Sequence, residues 1–370
     1  VKNGWIYIVK NNRYFFNKIS NLTILLFIFC MLFFKILIYF LINNEFIEFS
    51  FGGGSDANYY HGYAIGNINV AVNIWPEILK YLNEKGLYSR SYISHILLVL
   101  NLTIPFLCIY LSGLKFNYNQ KNYLYLLLIC TIYPTLFFYS LDIFRDVFMT
   151  FSFLIGCLAV KNSLSNSNFF SFLFFYILAI LIGIFLLKLR PYLGYAFLLA
   201  LFLWKVKFTK KRVILFSFLY FISLFLANYI GLFNILTEYR SGFEESEGGS
   251  TLGLDFSNPV LFIPNFILSI LGQLFGLYIT NPLAIFLFFI ETIPFIFMFF
   301  YILKNIKYAN NFIRFLIIFF VLYASVWLIG NDNLGTAIRL RIYNYIAVYI
   351  CFFYILKLKL DYKIGKVIKT

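Results

Sequence analysis

The chain has 370 residues, of which 62% are hydrophobic and only 12% charged. Soluble domains run nearer a quarter charged, so this composition excludes a soluble globular protein. The net charge of +15 is read as the loop charge of a membrane protein, with no nucleic acid as partner.

Continuous apolar runs exceed the ~18 residues needed to cross hydrocarbon. In lipid the backbone must satisfy its own hydrogen bonds, and unbroken rather than alternating runs predict helices. The expected fold class is all-α: a polytopic integral membrane protein of about ten transmembrane helices, forming one membrane domain over 1–370 with two large external loops. The spans fall at 21–42, 93–113, 122–140, 141–160, 169–189, 191–204, 213–232, 281–302, 313–330 and 340–357. The first run lacks a small-residue cleavage site and reads as a retained span. Lys2, Lys10, Arg13 and Lys18 before it place the N-terminus in the cytoplasm. Lys35 within it is expected to snorkel outward.

The first external loop, 43–92, contains FGGGSDANYYHGYA at 51–64. Its glycines allow close backbone approach to a ligand. Asp56 and His61 are candidate general bases, and Tyr59, Tyr60 and Tyr63 offer flat faces suited to sugar rings. The same residues also fit a mobile loop with interfacial tyrosines. His95 reads as a hydrogen-bonding surface residue. Farther on, the loops 114–121, 205–212 and 303–314 and the C-terminal tail are lysine-rich and fall in the cytoplasm under the same parity.

The segment 237–258, TEYRSGFEESEGGSTLGLDFSN, mixes Arg240 with Glu244, Glu245 and Glu247. It reads as a solvated loop or as a flexible acidic flap over a cavity. Residues 259–280 are apolar but carry Pro259, Pro264, Gly272 and Gly276, and counting them as a span would put the basic tail outside. They are read as an interfacial or re-entrant piece, so the second external loop is 233–280. Glu291, near the middle of the eighth span, is costly in lipid and should face a cavity or a partner.

Charge sidedness carries the functional argument. About 17 of 21 lysines keep to the cytoplasmic side, whereas Arg90, Arg145, Arg190, Arg240, Arg339 and Arg341 fall outside. All acidic residues but Glu291 and Asp361 fall outside too. A guanidinium grips phosphate oxygens with a two-pronged fork that an ammonium lacks. Arg145, Arg190, Arg339 and Arg341 lie at or near helix starts, where an anion held between arginine and open N–H groups is favourable. The local alternative for Arg145 is pairing with Asp142 or Asp146, with Ser140 and Asp142 capping its helix. In KLRPYLGY (188–195), Pro191 suits a first helical position. Arg339 and Arg341 would stand about 200° apart on a helix. Either the last helix begins after Arg341, or only one of the two touches the anion. The five cysteines lie inside apolar runs with neither disulfide nor zinc spacing, and no metal or cofactor is expected.

Three stretches, YPTLFFYSLDIFRDVFM (133–149), KLRPY (188–192) and NLGTAIRLR (333–341), resemble bacterial O-antigen and oligosaccharide repeat-unit polymerases of the Wzy type. The resemblance implies a membrane glycosyltransferase of the bacterial inner membrane, multi-pass, with both termini cytoplasmic. A sugar hydroxyl of one lipid-linked repeat unit would attack the anomeric carbon of a glycan held on undecaprenyl pyrophosphate, which then leaves. Its partners would be that lipid-linked glycan, membrane lipid and a chain-length regulator. Arg145, Arg190, Arg339 or Arg341, and Arg240, would bind pyrophosphate, and Asp56 or His61 would serve the acceptor hydroxyl. The alternatives are a glycosyltransferase using a polyprenyl-phosphate sugar and a flippase or exporter of lipid-linked saccharide.

Overall fold

In the computed structural model, residues 19–47, 55–245 and 250–369 are described, and every named element is a helix. Gly52–Gly54 of the first loop, Glu247 of the second and the N-terminal basic residues lie outside them. Eight helices among the described residues are long and apolar enough to cross a membrane, so the chain is a multi-pass helical membrane protein.

Helix α1 (Asn21–Asn43) starts where the Ser20 hydroxyl accepts the Thr23 N–H. Lys35 does not snorkel from it. Its side chain is buried, and Nζ donates to Asn101 Oδ1 at 3.1 Å. The first long loop is not irregular but folds into α2 (Ser55–Ala64) and α3 (Ile74–Glu84). Helix α3 forms because Trp75 and Leu79, four apart, bury one face while its other side stays polar. Trp75 Nε1 donates to the Ile143 carbonyl at 3.0 Å and ties the loop to the bundle.

Helix α4 (Arg90–Ser112) ends at Gly113, and α5 (Phe116–Ile132) follows. The expected spans 122–140 and 141–160 need correction. Pro134 disfavours helical geometry in Tyr133 and has no N–H to continue the ladder. The chain therefore breaks there, makes the short helix α6 (Pro134–Phe138), and re-enters as α7 (Arg145–Ser165). Ser140 and Asp142 do not cap α7; its N-cap, Phe144, makes no side-chain cap bond.

Helices α8 (Phe169–Leu189) and α9 (Pro191–Leu203) meet at Arg190, which is extended, with Pro191 in the first turn as expected. A Cβ on Gly194 would lie 2.3 Å from the Leu187 Cα, so this hairpin closes only around glycine. Helices α10 (Lys210–Tyr229) and α11 (Asn234–Glu245) come next. Helix α12 (Phe262–Ser269) runs on through five residues in π geometry, Ile270–Leu274. Together they rise roughly 20 Å, as the 13-residue α9 does.

Helix α13 (Pro282–Leu287), a second π segment (Phe288–Thr292) and α14 (Ile293–Asn305) form one continuous helical rod. Helix α15 (Asn311–Gly330) leads through a buried turn to α16 (Leu334–Lys369). The last two helices are central: each buries 72% of its most apolar window, against 6% for α10.

Loops assigned to one side by lysine parity touch one another. At one end Arg90 grips Asp142 with both prongs, at 2.9 and 2.5 Å, and Arg240 on α11 reaches the carbonyls of Leu328 and Asn331. At the other end Lys161 donates to the Tyr110 carbonyl and Lys359 to Asn305.

Candidate functional site at the start of the central helix

The first two turns of α16 form one wall of a cavity of about 570 Å³. Asn333 begins the helix, its Oδ1 accepting the Thr336 N–H at 2.9 Å. The opposite walls come from the corner after α6, the π segments and residues 276–288, with Asp56 at one edge. Arg339, Arg341 and Asp56 are the charged residues lining it among those described, giving two guanidinium groups against one carboxylate.

Arg339 is held on three sides. Its Nε and Nη2 both donate to Asp146 Oδ2, at 3.1 and 2.7 Å, and Nη1 donates to Asp56 Oδ2 at 2.5 Å. Its planar group lies 4.8 Å from the Tyr139 ring centroid, a cation–π distance. Burial pushes the Tyr139 phenol well above its ordinary range, although the Arg339 charge opposes the shift. Tyr139 is therefore a neutral hydroxyl near the guanidinium.

Asp146 is fully buried and joins the arginines. Its other oxygen, Oδ1, accepts from Arg190 Nη2 at 3.4 Å, and Arg145 acts on it through charge. The Arg145 guanidinium donates instead to the Leu189 carbonyl at 3.1 Å. The local-pairing alternative is thus redistributed: Asp142 goes to Arg90, and Asp146 to Arg190 and Arg339. Three arginines, 145, 190 and 339, meet two carboxylates, Asp56 and Asp146, which leaves one positive charge in excess. Arg190 is buried, with no hydrogen-bond partner for Nε or Nη1. It supports the cavity wall through Asp146 and does not line the cavity.

Arg341 also lines the cavity. Helix α16 starts before both late arginines, so they diverge, Arg339 toward Asp146 and Arg341 toward Glu291, whose Oε2 lies 3.3 Å from Arg341 Nη2. Both nevertheless reach the same cavity, an arrangement the two-way sequence alternative did not include. Glu291 has the partner its position in a span demanded.

The remaining candidates sit elsewhere. Arg240 is buried and donates to the carbonyls of Leu254, Leu328, Ile329 and Asn331 and to the Asp332 carboxylate, away from the cavity. Arg240 is a clamp on the α15–α16 turn, not part of a mobile acidic flap. His61 bonds the Tyr88 hydroxyl at 2.9 Å and does not line the cavity. Burial pushes Tyr88 up to about 12. Tyr60 is buried in the core and presents no open face to a sugar, and the Tyr59 hydroxyl donates to the Val70 carbonyl.

Sequence reasoning did not single out Asp146 or Tyr139 for the site. A signal for Asp146 was present: Arg145 and Asp146 are adjacent on a helix, ~100° apart, and cannot face each other. Each therefore needed a partner from elsewhere in the chain. No family model, curated protein or solved structure matches this chain.

Proposed function

We propose that this protein polymerises undecaprenyl-pyrophosphate-linked oligosaccharide repeat units on the outer face of the bacterial inner membrane. One observation carries the reading. Arg339 and Arg341 open from the start of the central helix into a cavity whose single lining carboxylate, Asp56, is already paired. Guanidinium groups and a helix N-terminus aimed at one space favour negative charge that grows there.

With α5 and α9 added to the eight long helices, ten crossings result. Both termini are then cytoplasmic, and the cavity lies at the outer end. An acceptor sugar hydroxyl attacks the anomeric carbon of the donor glycan. The bond from that carbon to the phosphate oxygen breaks, its electron pair leaves with pyrophosphate, and Arg339 and Arg341 stabilise that charge. Asp56, partly exposed on the cavity edge, takes the hydroxyl proton once the arriving anion competes for the Nη1 prong of Arg339. Arg190 and Arg145 hold Asp146, and with it the inner edge of Arg339.

The test is elongation of a synthetic lipid-linked repeat unit by the purified protein. Arg339→Ala is expected to lose at least ~100-fold, the scale of removing one charge-stabilising donor; Arg190→Ala, which acts through Asp146, is expected to lose activity by a smaller factor. Unchanged turnover would reject the role given to that side chain. In cells, loss of the gene should leave lipid capped with a single repeat unit. Complete loss of surface glycan would point to a flippase, and abolition of activity by a chelator to a metal-dependent polyprenyl-phosphate-sugar transferase.

A further inference from the structure

Arg341 is a more elaborate construction than a buried ion pair requires. It is 5% exposed, yet lines the cavity. One prong, Nη2, reaches Glu291 Oε2 at 3.3 Å; Nε is buried with no hydrogen-bond partner, and Nη1 lies on the side of Gly276, which lines the cavity. Leaving a buried guanidinium donor unsatisfied is costly, and a two-pronged pair with the same carboxylate would have removed that cost.

The surroundings fix this geometry. Glu291 is fully buried, and its second oxygen, Oε1, accepts the Thr135 N–H at 2.8 Å, so the carboxylate cannot rotate to meet both prongs without losing that bond. Tyr345, one turn along α16, lies 5.2 Å from the guanidinium carbon and is itself held by a 2.8 Å bond to the Leu274 carbonyl. Gly276 adopts φ +57, and a Cβ there would stand 2.8 Å from Arg341 Nη1. Glu291 and Thr292 lie in one π segment, and Gly272 and Gln273 in the other. Such turns concentrate at functional sites because they re-aim side chains out of helical register. Residues Leu334–Ala337, the start of α16, line the same cavity; the N–H groups of Leu334, Thr336 and Ala337 are bonded to Ser250 and Asn333.

We propose that Glu291 is a positioning residue: it locks Arg341 so that Nη1, beside Gly276 and the residues at the start of α16, forms a subsite for a phosphate or pyrophosphate group. That this group comes from a lipid-linked glycan rests on the polymerase reading; the subsite itself does not.

The experiment measures pyrophosphate affinity of the full chain in detergent, using inorganic pyrophosphate in one arm and a polyprenyl pyrophosphate in the other. Arg341→Ala is expected to weaken binding strongly, and Glu291→Gln by at least about 10-fold, the scale of one charge-assisted hydrogen bond. In the Arg341→Ala background, Glu291→Gln should cost nothing further, because it acts only through the guanidinium. An equal loss in both backgrounds, or no loss in either, overturns the proposal. Gly276→Ala keeps both charges but sets a Cβ 2.8 Å from Arg341 Nη1 and 3.1 Å from Thr292 Oγ1 on a backbone at φ +57, so it must also weaken binding; unchanged affinity in a folded Gly276→Ala protein overturns it too. Binding in both arms identifies the anion alone as the ligand, and binding in the polyprenyl arm alone identifies the lipid headgroup; either supports the subsite. A wild-type protein that shows this coupling but fails to elongate glycan rejects the polymerase reading and leaves the subsite standing.

Discussion

Arg240 and Arg339 look alike as letters: each lies in a polar stretch on the expected outer side. Their neighbours in space separate them. Arg240 donates to four carbonyls and to Asp332, a carboxylate that also accepts the Gly253 N–H at 3.0 Å. Removing it strands a fully buried carboxylate. Arg240→Ala is therefore expected to cost about 3–5 kcal/mol, read as a fall of several degrees in the melting temperature of the detergent-solubilised protein. Arg339 shares its charge between buried Asp146 and partly exposed Asp56. Arg339→Lys keeps the charge but cannot serve two carboxylates and an incoming phosphate with a planar fork. Its melting temperature should change less than that of Arg240→Ala, while elongation falls at least ~10-fold; full elongation by the lysine variant would remove the fork from the argument.

At the level of elements, breaks and close contacts place the site. Pro134 ends α5 early and turns the chain outward, which brings Tyr139 and Phe144 to Arg339. The α8–α9 hairpin sets Arg190 at its tip, and that tip depends on Gly194 against the Leu187 backbone. Gly194→Val leaves no flexible side chain to yield and is expected to destabilise by at least ~2 kcal/mol. The accompanying displacement of Arg190 from Asp146 should reduce elongation in whatever fraction remains folded, checked by assaying only the monodisperse peak from size-exclusion chromatography. The hairpin was legible in the sequence, since Pro191 sits in the first turn as its chemistry requires; the break at Pro134 was not, and the expected span 122–140 ran through it. The two helices of the first loop were less legible: the polar run of α2 carries little periodicity, and the four-residue spacing of Trp75 and Leu79 in α3 is present inside the segment expected as an external loop.

For the whole molecule, the alternation of lysine-rich and arginine-bearing loops agrees with which loops touch. Thr280, exposed on the cavity wall, and Lys307, exposed in the α14–α15 turn, report the two ends. In a background lacking the exposed Cys30, a membrane-impermeant maleimide should label Thr280→Cys in intact cells and Lys307→Cys only after permeabilisation. The reverse pattern would put the cavity on the cytoplasmic side and end the proposed outer-face chemistry.

The sequence by itself determined that the chain is a bundle of membrane-crossing helices, since 62% apolar residues in continuous runs leave the backbone no other solution. It also determined that Glu291 needs a partner and that the arginines at helix starts call for a reason, because bare charge in or near lipid is expensive. Only the tertiary structure decided which arginine does what. Arg339 meets Asp146 across 193 positions and Asp56 across 283, and no local period encodes such pairs. A guanidinium donates a hydrogen bond only to a group about 3 Å away, so the division of guanidinium groups into those that clamp and those that face the cavity exists only once the helices have packed.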